Sequence, residues 1–487
     1  MSRFKAFSLL LVTASLCLGV ASSAGAASQM MIGVDDDGLM QRDSSATALT
    51  AKQWQQNGVG FSRLTLVWTR IAPAPNSIKK PAGFNARNPN SAGYHWADVD
   101  RAVNSLEKNN IKISIAVASP APYWASTSPK LRSPSYKPAP KALADFLYAV
   151  AKRYKGRILS YIPFNEPNLS AYLTPQYSCS SKPGSICYLA GAAQYRELYR
   201  AAYNSIKTAD PAAAVWIGPL APHGKIGRSP GPTAFFKAMA CLKDNYAIDV
   251  TSPGCENYTP LLTDGIAHHP HTLLLSPIGR DPGDAITTAN LSALTALFDA
   301  LQSKGRIFNS SSGDISKLNA PLDVFIDEYG VQTNPPDNLQ GLSQAKQNDY
   351  YQQVAYMMWK NPRVKLLSFY LWKDEPTTKA KSWAWQSGVY FHDGKAKASA
   401  ASFPHPFWLT SFSSRRAVKL WGQARAYPDH PILIQSKEKG AKRYFTQETL
   451  VSDSQGFFLT KLPSSSGTRF RYCYGSRRKC SNSRIAP

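Results

Sequence analysis

The stretch Tyr161-Ile162-Pro163-Phe164-Asn165-Glu166-Pro167-Asn168 is an apolar run that halts on a carboxylate followed by proline. Leu159–Pro163 has the length and composition of a buried strand. Pro167, which has no amide proton to give to a sheet, stops that strand just beyond Glu166. A carboxylate is thereby left at the C-terminal mouth of a strand, the end at which parallel barrels gather their chemistry.

The same pattern extends in both directions. Seven more short apolar runs, Met31–Val34, Arg63–Val67, Lys112–Val117, Ala214–Ile217, Gly265–His268, Val324–Asp327 and Leu366–Tyr370, bring the count to eight. Amphipathic segments lie between them, among them Asp98–Asn109, Pro140–Tyr154, Gln194–Ala209 and Asp349–Lys360. Continuous apolar strands separated by helices imply a parallel sheet covered on its outer face. Eight of them predict a closed (β/α)8 TIM barrel. An open doubly wound sheet would call for a glycine-rich phosphate loop after an early strand, and the sequence has none.

Beyond Phe412 the pattern changes to short segments broken by Gly, Pro and Ser: Val418–Leu420, Pro431–Gln435, Lys442–Thr446, Gly456–Leu459 and Arg469–Tyr474. These predict a small antiparallel β-sandwich. The expected organisation is a leader over 1–26, a barrel over 27–412 and a C-terminal module over 413–487. The leader carries Arg3 and Lys5, an apolar run from Phe7 to Val20, and then Ala24-Gly25-Ala26. That order is the grammar of a cleaved secretory signal, and the run is too short to span a bilayer.

Cysteine usage agrees with an oxidising destination. Apart from Cys17 in the leader, six cysteines fall as close neighbours, Cys179 with Cys187, Cys241 with Cys255, and Cys473 with Cys480. Three local disulfides are the simplest of the pairings open to them. A zinc site would want a Cys-x-x-Cys pair, which is missing. The net charge of +25 is concentrated at the C-terminus, where residues 415–487 hold 15 Lys and Arg against 4 Asp and Glu. This basic module suits an anionic polysaccharide or wall polymer; for a secreted chain nucleic acid is not the expected partner, and a merely solvated basic surface is the plain alternative.

A second acid closes the seventh run, in Val324-Phe325-Ile326-Asp327-Glu328-Tyr329-Gly330. A lone glutamate at a strand end is ordinarily a solvated or ion-paired side chain. Two of them, on strands four and seven, suit glycoside hydrolysis, in which one carboxyl protonates the leaving oxygen and the other stays ionised at the anomeric carbon.

With these residues the sequence resembles the clan A glycoside hydrolases, nearest to families 39 and 5, over roughly residues 30–405; Asn165-Glu166-Pro167 is the most specific shared motif. The resemblance implies Glu166 as acid/base, Glu328 as nucleophile and Asn165 as donor to the sugar's 2-hydroxyl. It makes Arg63 the strand-two arginine that keeps Glu328 ionised, and Pro122-Tyr123-Trp124-Ala125 the mouth of strand three, where Trp124 offers either rim packing or a sugar platform. In Asp264-Gly265-Ile266-Ala267-His268-His269-Pro270-His271, His269 matches the clan's histidine. His271 stands where a tyrosine bonded to the nucleophile is expected, and as an imidazole it would titrate near neutrality. Trp372, at the end of strand eight, matches the tryptophan floor beneath the sugar.

The histidines lack helical metal-ligand spacing, so neither metal nor cofactor is expected. The expectation is thus a secreted, monomeric, retaining glycoside hydrolase for a β-linked poly- or oligosaccharide. A non-catalytic carbohydrate-binding or matrix protein, or a transglycosylase using the same residues, are the alternatives.

Overall fold

The computed structural model describes residues 27–179, 187–225, 228–272, 276–377, 384–411, 417–475 and 479–486. The expected leader lies outside the described residues. Among those described, no helix is long and apolar enough to cross a membrane.

Eight parallel strands close into a barrel: β1 (Met31–Asp35), β2 (Phe61–Val67), β3 (Lys112–Ala118), β4 (Ser160–Ile162), β5 (Ala214–Ile217), β6 (Gly265–His268), β7 (Val324–Tyr329) and β8 (Val364–Tyr370). Each pairs with its sequence neighbours, and β8 returns to β1 with Met31 opposite Leu366. The outer layer comprises α1 (Thr47–Gln56), α2 (Ala97–Lys108), α3 (Pro140–Arg153), α4 (Ala190–Ala209), α5 (Pro232–Met239), α6 (Ser292–Ser303) and α7 (Gln344–Trp359), with a short turn of helix at Ala398–Ser402 after β8. The barrel predicted from the eight apolar runs is the one observed.

The helices cover the strands as their periodicity dictates. In α2 the buried positions are Val99, Ala102, Val103 and Leu106, one stripe of a 3.6-residue repeat. Pro140 opens α3 at its first turn, where a missing amide proton does no harm. Inside the barrel, Phe61, Ala116, Ile162, Trp216, Ala267 and Leu366 form a separate apolar plug. Trp216 stacks on Phe325 with centroids 3.7 Å apart. A Cβ added at Gly265 would meet the Phe325 ring at 2.4 Å, so this glycine is what admits the stack. The plug fills the lower barrel and leaves the polar ends of β1, β2, β4, β6 and β7 at the open mouth.

The antiparallel layer begins earlier than the expected 413. A strand at Phe407–Ser411 (β9) pairs with Ala417–Gln423 (β10), which pairs with Phe457–Pro463 (β13). The facing sheet has Pro431–Lys437 (β11) flanked by Phe445–Val451 (β12) and Arg469–Tyr474 (β14), and short strands at Lys479–Cys480 and Arg484–Ile485 pair with β14. The strand expected at Lys442–Thr446 therefore starts later and runs further. Phe407, Val418, Leu420 and Phe458 from one sheet meet Ile432, Ile434, Phe470 and Tyr472 from the other in a shared core.

The three close cysteine pairs are disulfides, Cys179–Cys187, Cys241–Cys255 and Cys473–Cys480. An additional parallel pair, Leu261–Thr263 with Ile307–Asn309, lies off the barrel and has no counterpart in the sequence reading.

Candidate active site

At the barrel mouth β4 ends at Ile162, but the chain stays tied to β3 beyond it, the Asn165 amide donating to Val117 O at 2.8 Å. Glu166 follows with φ of 42°, a left-handed conformation uncommon outside glycine. Such backbone persists where the surroundings fix it, and it clusters at functional sites. Here the Leu169 amide donates to Glu166 O at 3.0 Å, and Asn168, fully buried, ties the turn to the loop after β5 through Ala221.

Glu328 is delivered by β7 together with its neighbour. Simple strand alternation would put Asp327 and Glu328 on opposite faces. Yet the Arg63 guanidinium meets both, with Nη1 3.3 Å from Asp327 Oδ2 and Nη2 against Glu328 Oε1. A break in register explains this: Ile326 pairs with Leu367 and Tyr329 with Phe369, so three steps on β7 face two on β8. The bulge turns consecutive carboxylates into the same mouth.

Arg63, on β2, is 2% exposed and is held at both ends. Its amide donates to Asp35 Oδ1 at 2.8 Å, and Nη1 donates to Asn165 Oδ1 at 3.0 Å. The one planar guanidinium thus fixes Asn165 after β4 and both acids of β7, a task for which arginine's rigid fork is suited and a lysine is not. Burial pushes the Asp35 carboxyl up to about 8, against the pull of Arg63, which favours its neutral form.

His269, just past β6, joins the two acids. Its Nδ1 lies 2.9 Å from Glu166 Oε1 and 3.7 Å from Glu328 Oε2, and its Nε2 lies 3.3 Å from Asp327 Oδ2. Burial works against a charged ring, but Asp327 and Glu166 outweigh it and hold the imidazole above its ordinary value. Burial likewise opposes ionisation of Glu166, and the His269 hydrogen bond and charge outweigh it, holding that carboxyl below its usual range. The two form an imidazolium–carboxylate pair. Both shifts favour the ionised form of the acid/base candidate, with a proton one hydrogen bond away.

His271 differs from the expectation of a ring titrating near neutrality. Burial, reinforced by the His269 charge, lowers it to about 4. Its Nδ1 accepts from the Gly330 amide at 3.2 Å, which leaves the proton of the neutral ring on Nε2, 3.8 Å from Glu328 Oε2. His268 is also neutral, lowered by burial to about 4, with Nε2 at 2.8 Å from Ile286 O.

The structure thus brings together Arg63, Asn165, Glu166, His269, His271 and Glu328. It does not place Trp372 with them. That ring is 4% exposed, enclosed by Trp54, Tyr390 and Phe403 at centroid distances of 6.4, 5.3 and 5.4 Å, and has no face left for a sugar. The apolar pocket behind β8 claims it. The half-buried aromatic at the mouth is instead Trp385, 5.3 Å from His271 and 5.5 Å from Tyr370. Trp124 sits at the rim, half-buried, donating Nε1–H to Pro73 O at 3.0 Å and meeting Phe84 edge-on.

Asp327 and Asp35 were absent from the candidates read in sequence. Asp327 shares the inward face of Phe325, and the bulge that turns Glu328 in beside it leaves no mark in the residue pattern.

His269, His271 and Glu328 also offer ligand atoms within 4.8 Å of one another, the spacing of a metal site. Each is already engaged, by Glu166, the Gly330 amide and Arg63 respectively, and the adjoining guanidinium opposes a further cation.

The fold is a (β/α)8 TIM barrel with its polar residues gathered at the C-terminal mouth and an antiparallel two-sheet module after it. The structure is similar to that of a family 39 glycoside hydrolase from the gut symbiont Bacteroides cellulosilyticus WH2, with a TM-score of 0.51 at 14% identity, covering 89% of this chain and 81% of that one. It is also similar to a glucosidase from Croceicoccus marinus, with a TM-score of 0.51 at 10% identity, covering 91% and 95% of the two chains. At these identities the likeness is one of fold. No protein-family model and no curated protein matches the sequence.

Proposed function

We propose that the protein is a secreted retaining glycoside hydrolase that cleaves β-linked poly- or oligosaccharides, with Glu328 as nucleophile and Glu166 as acid/base. The observation that carries this reading is that a single nitrogen, His269 Nδ1, lies within 4 Å of both carboxylates. The nearer oxygens of the two acids can then be no further apart than the two distances combined. That favours the separation of about 5–5.5 Å used by retaining enzymes over the roughly 6.5–9.5 Å that leaves room for a water in inverting ones.

The steps follow from the charges. Glu328, paired with Arg63, attacks the anomeric carbon as a carboxylate, forming the glycosyl ester as the bond to the leaving oxygen breaks. The proton on His269 Nδ1 passes to Glu166 Oε1 and from there to the leaving oxygen. Glu166 is then a carboxylate beside a neutral imidazole, placed to take a proton from the water that cleaves the ester. That proton restores the original pair, and the cycle balances. Asn165, its carbonyl oxygen occupied by Arg63 and its amide also bonded to Tyr172, has a remaining amide proton to offer the sugar's 2-hydroxyl.

The test is a screen of aryl glycosides and polysaccharides with the wild type beside Glu328→Ala. Turnover by the wild type and its loss in the variant support the reading; full activity in Glu328→Ala refutes it.

A further inference from the structure

The C-terminal module carries a cationic face built on the sheet of β11, β12 and β14. Lys437 on β11 stands directly opposite Arg469 on β14, and Arg471, two residues along, stands opposite Gln435. Like charges set across a strand pair are destabilising, so sequences ordinarily alternate them. Here both flank the same patch, with Arg469 exposed and Lys437 and Arg471 half-buried.

Arg471 is also pre-positioned. Its Nε donates to Gln435 Oε1 at 2.9 Å, and its guanidinium lies over the Tyr444 ring at 4.0 Å, with Lys437 Nζ 5.3 Å from the same ring. Gln435 is 7% exposed and anchors the fork from beneath. The two Nη groups of Arg471 have no partner among the described residues.

The module's acids do not neutralise this face. Glu438 accepts from Ser465 and Thr468, Glu448 from Thr460, and Asp453 from the Gln455 and Phe457 amides. Among the described residues no carboxylate forms an ion pair with Lys437, Arg469 or Arg471.

We propose that this face is a binding site for a carboxylate-bearing polysaccharide, with Arg471 taking one carboxylate through its free fork and Lys437 and Arg469 a neighbouring one. Charge complementarity selects an anionic chain, and a fixed guanidinium with two parallel donors matches the planar carboxylate of a uronic acid. The site is remote in sequence from the barrel acids and stands independently of the reaction assigned to them.

The test uses the full chain with polygalacturonate as probe, beside a neutral β-glucan, equimolar phosphatidylcholine–phosphatidylserine vesicles and duplex DNA. The wild type binds polygalacturonate most tightly, with affinity falling as salt rises. The variant Lys437→Gln/Arg469→Gln/Arg471→Gln loses about tenfold or more, and Arg471→Lys, which keeps the charge but not the fork, loses less than the triple variant yet measurably. Undiminished binding by both variants overturns the proposal, as does preference for vesicles or DNA. Hydrolysis of a soluble aryl glycoside is unchanged in both variants; failure of the wild type to turn over any glycoside would count against the barrel assignment alone.

Discussion

His269 Nδ1 and Glu166 Oε1 are 2.9 Å apart in the barrel mouth, and the ring that donates there is anchored on its far side by Asp327. In the proposed reaction, the proton that a leaving group requires is therefore supplied from the imidazole, whose charged form the two carboxylates favour. The predicted properties follow from this pair and from the arginine beside it.

Glu166→Ala removes the acid and the base together. Hydrolysis of substrates with poor leaving groups falls by about 10²–10⁴-fold, while activated aryl glycosides, which depart without a proton, lose much less in the first step. Azide restores turnover on the activated substrate, giving a glycosyl azide of retained configuration. A variant that azide does not affect, with equal losses on both substrate types, would argue against an acid/base role.

The pH profile should carry the signature of the pair. The productive state has one proton shared between Glu166 and His269, so kcat/KM falls on the alkaline side as His269 loses its proton, at a pH above the ordinary imidazole value of 6.5. In His269→Gln the alkaline limb moves to lower pH, where Glu166 titrates without a donor. An unmoved limb in that variant would mean that His269 holds no part of the catalytic proton.

Arg63→Lys retains a positive charge but cannot bridge Asn165, Asp327 and Glu328 at once. Misplacing the nucleophile by about 1 Å costs on the order of 10²-fold in rate. The loss should appear in kcat rather than KM. Arg63→Ala is more severe, because two buried carboxylates are left without their partner, a change that destabilises by about 3–5 kcal/mol. Thermal unfolding of the two variants separates the effects.

Asp35 makes a statement about stability. Its carboxyl is raised from 3.8 to about 8 by burial, so the folded state binds this proton more tightly than the unfolded state does. The sign is therefore that its contribution is fully present below 3.8 and declines as pH rises towards 8. Asp35→Asn keeps the acceptor for the Arg63 amide and removes the titration. Relative to wild type the variant should gain in unfolding free energy as pH rises through that window, and a difference independent of pH would contradict the assignment.

How much of this was written in the residues varies with the physics involved. The barrel was legible because buried parallel strands are continuous apolar runs, and Glu166 because Pro167 marks where its strand must stop. Alternation from Phe325 sends Asp327 into the barrel and Glu328 outward, so the end of the run marked Glu328 as a candidate, but the slip between Ile326 and Tyr329 that brings it in beside Asp327 is not written in the residues. Trp372 and Trp385 are the same residue type near the same mouth, and which one faces the cleft depends on the pocket formed by Trp54, Tyr390 and Phe403, residues distant in sequence. The neutral state of His271 likewise depends on burial and on the Gly330 amide, neither of which a motif records.

The central claim, double displacement through Glu328, is tested most directly by trapping the intermediate. Incubation with a 2-deoxy-2-fluoro glycoside bearing an activated leaving group, followed by digestion and mass spectrometry, should locate the sugar on the peptide that carries Glu328, with label absent from Glu328→Ala. Label on another residue, or turnover of substrate with inverted configuration and no adduct, would contradict it.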